Sequence, residues 1–116
     1  MNTPIKIEFC IDFPIFLSTP HIWVDWSFPH IPRVGEFINP LIWLESPNCN
    51  LAKLIDCLHP EDKENVGNSD FKSWLFDYAI GYNYVASVMY SRNRPTDDIH
   101  IFIVLDEKPL HPNQNS

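Results

Sequence analysis

Hydrophobic and polar positions change their period along this chain, and that change predicts its elements. Ile5, Ile7, Phe9, Ile11 and Phe13 alternate with Lys6, Glu8, Cys10 and Asp12, a period of two that predicts a half-buried first strand ended by Pro14. From His21 to Phe28 the alternation returns. Ile22, Val24, Trp26 and Phe28 share one face, and His21, Trp23, Asp25 and Ser27 share the other, so that this strand presents a tryptophan on its polar side. A third strand is expected over Val34 to Ile38. The run Leu41-Ile42-Trp43-Leu44, enclosed by Pro40 and Pro47, is read as a continuing or separate short strand.

From Asn50 the period lengthens. Leu51, Leu54, Ile55 and Leu58 stand at i, i+3, i+4 and i+7, one face of a helix that Asn50 or Ser46-Pro47 can cap and Pro60 ends. Residues 60–65 are polar enough for a loose turn or one helical turn. Phe71, Trp74, Leu75 and Tyr78 repeat the stripe after Ser69 or Asp70 as N-cap, with Gly81 as the stop. Tyr82 to Arg92 returns to strand composition, with Tyr82, Tyr84 and Tyr90 on one face. Residues 93–98 read as a hairpin loop, and Ile99 to Leu105 closes the sheet. The fold class expected is α+β: about five mostly antiparallel strands as a twisted sheet or small barrel, with helices at about 48–58 and 70–80 packed on one side. Residues 1–108 form one domain and 109–116 a polar tail.

One stretch carries tighter constraints than its neighbours. In Ile31-Pro32-Arg33-Val34-Gly35-Glu36 the proline sets φ for a turn and Gly35 can take a positive φ, so a sharp corner is expected there. Arg33 and Glu36 then lie close together, either as a small charge clamp or as a receptor for an anion.

This corner, with Tyr84-Val85-Ala86-Ser87-Val88-Met89-Tyr90 and the strand Ile99 to Leu105, resembles a pattern in small bacterial proteins to which no activity is attached. The match spans about half of the chain. The resemblance implies a compact sheet or small barrel and implies no activity. The long helical segment between corner and strand departs from the pattern.

Composition narrows the function classes. A formal charge of −7, with only 8 lysines and arginines, argues against a nucleic-acid partner, which needs a basic face. No apolar run reaches transmembrane length and the start is polar, so a cytoplasmic protein without a membrane partner is expected. Three cysteines without Cys-x-x-Cys spacing predict reduced thiols and no disulfides. Cys49 and Cys57 are about 12 Å apart on a continuous helix, too far to bridge.

The histidines His21, His30, His59, His100 and His111 fall at no metal-binding spacing, although His100 could face His21 or His30 across a sheet. No phosphate loop, nucleophile elbow or Ser/His/Asp signature occurs, so neither a metal nor a cofactor is expected. The aromatics carry more information. They are either core, under helices that cover the sheet, or a surface patch of the kind that marks protein contacts. The first functional reading is a non-enzymatic interaction module that docks on another protein or on a second copy of itself through Trp23 and Trp43. The alternative is a small-molecule or anion binder, extending to a hydrolase, with Arg33, Glu36 and His100 at the rim of a pocket between sheet and helices.

Overall fold

A computed structural model describes residues 5–92 and 99–109. Strands β1 (Ile5–Ile11) and β2 (His21–Trp26) come first. Helices α1 (Leu41–Leu44), α2 (Leu51–Cys57), α3 (Pro60–Val66) and α4 (Phe71–Ala79) follow, with a 3-10 turn over Ile80–Tyr82. Strands β3 (Tyr84–Ser91) and β4 (His100–Asp106) end the order. The class is α+β, as the two periodicities imply. The strands form one open sheet in the order β2-β1-β4-β3.

Four strands stand among the described residues where about five were expected, and of the two forms expected, twisted sheet or small barrel, the sheet is the open one. Two of its three pairings are antiparallel, in keeping with a mostly antiparallel sheet, while the two central strands, β1 and β4, run parallel. The reason is nonlocal. β1 pairs antiparallel with β2, β4 pairs antiparallel with β3, and the two pairs meet through the earlier strand of the first, β1, and the later strand of the second, β4, so Ile7 lies beside Ile101 and Ile11 beside Leu105. The expected strand over Val34 to Ile38 shrinks to a single bridge, Phe37 to Tyr84. Its backbone still lines the start of β3, since Gly35 N donates to Val85 O at 3.0 Å and Val85 N donates to Glu36 O at 2.8 Å.

Leu41–Leu44 is a helical turn and not a strand. Asn39 Oδ1 accepts from Leu41 N at 2.9 Å, and Pro40, at φ −57° and ψ −24°, already has the backbone geometry of a first turn. In α2, Asn50 is the cap, with its side chain accepting from Lys53 N at 3.2 Å. The polar stretch after Pro60 is a full helix, with Pro60 in its first turn, Glu61 and Asp62 favourably placed near the N-terminus, and Gly67 ending it at φ +52°. Asp70 occupies the N-cap position of α4 but spends its carboxylate on Ser73 Oγ, at 2.7 Å. The hairpin loop read over 93–98 and the tail beyond Pro109 lie outside the described residues.

The hydrophobic phase of β1, β2 and β4 is buried against the helices. Ile7, Phe9 and Ile11 of β1, Ile22, Val24 and Trp26 of β2, and Ile101, Ile103 and Leu105 of β4 join Trp43, Leu54, Leu58, Leu75 and Ala79 in one core. Rings fill the end of that layer: Phe13 packs on Phe16, Trp43, Tyr78 and Tyr82 at centroid distances of 5.4 to 6.1 Å. Burial, reinforced by a hydrogen bond with Tyr82, pushes the Tyr78 phenol far above its ordinary value. The segment after β1 ties the layers together, with Leu17 N donating to Cys57 O at 2.7 Å and His59 N donating to Ile15 O at 3.0 Å.

β3 contains a register shift between Val85 and Ser87. One extra residue in a strand of period two transfers every later side chain to the opposite face. Tyr84 therefore pairs with Asp106 on the outer face while Tyr90 pairs with Ile101 on the helix side. The two tyrosines do not share a face, contrary to the unbroken alternation assumed from sequence.

Candidate functional site: the helix-free face of the sheet

The polar phase of the strands forms the other face of the sheet, and no helix covers it among the described residues. Glu8 is at its centre. Across β1 and β2 it lies opposite Trp23, and across β1 and β4 opposite Phe102. His21 Nδ1 stands 2.5 Å from Glu8 Oε2 and His100 Nε2 stands 2.9 Å from Glu8 Oε1, so the two imidazoles approach the carboxylate from both neighbouring strands. The His21 contact is a well-formed hydrogen bond. The His100 contact is close but poorly aligned, which leaves its buried Nε2 without a proper acceptor.

Trp23 and His100 stack at 4.7 Å between centroids and 25° between planes. Their strands are separated by β1, hence by about 10 Å, so both rings must lean inward over Glu8 to meet. They roof the carboxylate, which keeps only 13% of its side-chain surface. Phe102 extends the plate, 5.5 Å from His21 and 6.3 Å from His100. Met89 lies beside Phe102 on β3 and is exposed. Lys6 stands opposite Asp25 at one end of the face, and Asp106 lies at the other.

Chemically this is an aromatic plate over a hydrogen-bond acceptor, the Glu8 carboxylate. Cys10 shares the face, but partial burial, with Asp12 and Glu8 nearby, pushes its thiol up and keeps it in the weakly nucleophilic protonated form. Among the described residues no group of three histidine, cysteine or acidic side chains is arranged to hold a metal ion. Cys10, Cys49 and Cys57 are free thiols.

The residues singled out from sequence are dispersed. Trp23 is on the open face at 39% exposure, whereas Trp43 is fully buried in the helix layer and takes no part in a surface with it. Arg33 and Glu36 are at the corner. Glu36 Oε1 accepts from Arg33 N at 2.7 Å, and Oε2 lies 3.9 Å from Arg33 Nη2 and 3.7 Å from His30 Nε2. Gly35 has φ +96°, the conformation expected of it. The corner abuts the start of β3 and thus the end of β4, while His100 begins β4, roughly 20 Å away along the strand. Arg33, Glu36 and His100 share no rim. A shallow groove of about 390 Å³ lies between α1 and α4, lined by Leu41, Glu45, Lys72, Ser73, Phe76 and Asp77.

Glu8 and Phe102 were not singled out from sequence, and His21 was noted only as a candidate partner for His100. The signal available was phase: each falls on the polar side of a strand. Their convergence depends on β4 lying next to β1, which no local pattern specifies. No protein-family model, curated protein or solved structure matches this chain.

Proposed function

We propose that this protein is a non-enzymatic interaction module that docks another protein on the helix-free face of its sheet. The observation that carries the reading is the Trp23–His100 stack closed over Glu8, an aromatic surface of which Trp23 stays 39% exposed. Tryptophan in a patch rimmed by polar groups is the usual composition of a binding hot spot. Stacking lowers the entropy lost on docking, since the ring is already held. Asp25 and Asp106 at its margins, on a chain of net charge −7, favour a partner whose apolar patch is rimmed by lysine or arginine.

The test is photo-crosslinking in cells with a photoreactive residue at position 25, beside Trp23, and at position 64, on the helix layer. A protein captured from position 25 but not from position 64 is then purified and titrated against the parent. Trp23→Ala is expected to weaken its binding by at least about tenfold, as loss of a hot-spot residue does, and binding is expected to fall as salt rises. Equal affinity of parent and Trp23→Ala would remove the reading.

A further inference from the structure

The two edges of the sheet are finished differently. On β2 the Trp23 carbonyl, which could accept from an added strand, is taken by Ser46 Oγ at 2.9 Å and Asn48 Nδ2 at 3.0 Å. On β3 the corner closes the first part, through Val85 and through Ile38 N donating to Asn83 O at 2.9 Å. Past the irregularity at Ala86 no described residue pairs with that edge. Val85 aims its backbone groups outward, at the corner, and the extra residue places Ala86 and Ser87 together opposite β4. Alternation then aims the N–H and C=O of Val88 and Tyr90 outward. From Ala86 to Ser91 there is neither a charge nor a proline, the devices that ordinarily keep strand edges apart.

We propose that this edge pairs antiparallel with the same edge of a second copy, about a two-fold axis through Met89. A two-fold contact needs a sequence complementary to its own reverse, and this register supplies one. Val88 of each copy meets Tyr90 of the other, Met89 meets Met89, and Ser87 meets Ser91. The Val–Tyr positions are those with outward backbone groups, so each pair exchanges two hydrogen bonds while a branched side chain packs on a ring. Centring the axis one residue earlier would set Tyr90 against Ala86, at the register shift, where the ladder is irregular. A chain of charge −7 repels its copy least where the contact is uncharged, which this stretch is. The axis stands perpendicular to the sheet, so both helix layers stay on one side and the two open faces join across the Met89 pair. The pairing does not rest on the docking role of Trp23.

Sedimentation velocity of the full chain over a dilution series is expected to show a reversible dimer. Tyr90→Pro deletes an outward N–H that β4 does not use, and is expected to weaken that dimer by about tenfold to a hundredfold, as befits two lost backbone hydrogen bonds per dimer. Trp23→Ala is expected to leave it intact. Should Tyr90→Pro fold poorly by circular dichroism, Met89→Cys decides: diamide is expected to oxidise the facing thiols to one intermolecular disulfide, while the parent with its three native cysteines stays unlinked. A parent that remains monomeric at millimolar concentration overturns the pairing. So does a dimer that a well-folded Tyr90→Pro leaves intact, that Trp23→Ala dissolves, or that Met89→Cys fails to trap.

Discussion

The two faces of the sheet use the same side-chain types to opposite ends. Under the helices, Phe9, Trp26, Trp43 and Phe13 are buried among aliphatic side chains, and ring contacts there belong to close packing. On the open side, Trp23 and His100 stack over the Glu8 carboxylate with Phe102 beside them, and Trp23 stays partly exposed. A buried ring contributes by removing apolar area from water. A half-exposed ring removes less apolar area from water and contributes correspondingly less. Trp23 and Trp43 thus differ in burial, 39% against 0% exposed, according to the layer that receives them.

The largest effect is expected from that contrast. Trp43→Ala leaves a void in a layer that cannot collapse freely, and should cost about 3 to 5 kcal/mol, whereas Trp23→Ala, at a ring already 39% exposed, should cost about 1 to 2 kcal/mol. Urea denaturation of the two variants measures both. Equal losses would mean that the open face is as much a core as the other.

A smaller effect is expected at the corner, which joins the sheet to the helix layer. Gly35 has φ +96° with no atom nearer than 3.9 Å to the place of a β-carbon, so the obstacle to a side chain there is backbone strain and not crowding. Gly35→Val should cost about 1 to 3 kcal/mol. Arg33→Ala, which removes an exposed contact 3.9 Å long, should cost under about 1 kcal/mol. Thermal melts rank the pair, and a Gly35→Val variant that melts like the parent contradicts the structural account of the corner.

The smallest expected effect is a slope. The folded chain holds the Tyr78 proton to higher pH than the unfolded chain does, so the unfolded state carries fewer protons above pH about 10 and stability falls as pH rises there. Tyr78→Phe should flatten the loss of stability expected from about pH 10 upward in chemical denaturation. An unchanged slope would assign the alkaline sensitivity to other groups.

Much of this architecture was legible because it is local. The alternation of Ile5 to Ile11 and of His21 to Trp26 specifies which side chains point inward whatever the strands later pair with. The stripes at Leu51–Leu58 and Phe71–Tyr78 specify helices for the same reason, and Gly35 announces its own positive φ because a β-carbon is penalised there. Leu41–Leu44 was not legible, since four apolar residues fit either period and Asn39 with Pro40 made the choice.

The sequence by itself determined strands β1, β2, β3 and β4, helices α2 and α4, and the inward phase of β1, β2 and β4, because those follow from sterics and from spacing along a few residues. Only the tertiary structure decided that β4 enters between β1 and β3, that one extra residue at Ala86 turns Tyr90 away from Tyr84, and that the helix layer engulfs Trp43 and leaves Trp23 outside. Each of these depends on contacts between residues far apart in the chain, whose energies are collective and leave no period to read. The Glu8–His21–His100 cluster exists for that reason alone: three ordinary polar-phase positions became one site when β4 came to lie beside β1.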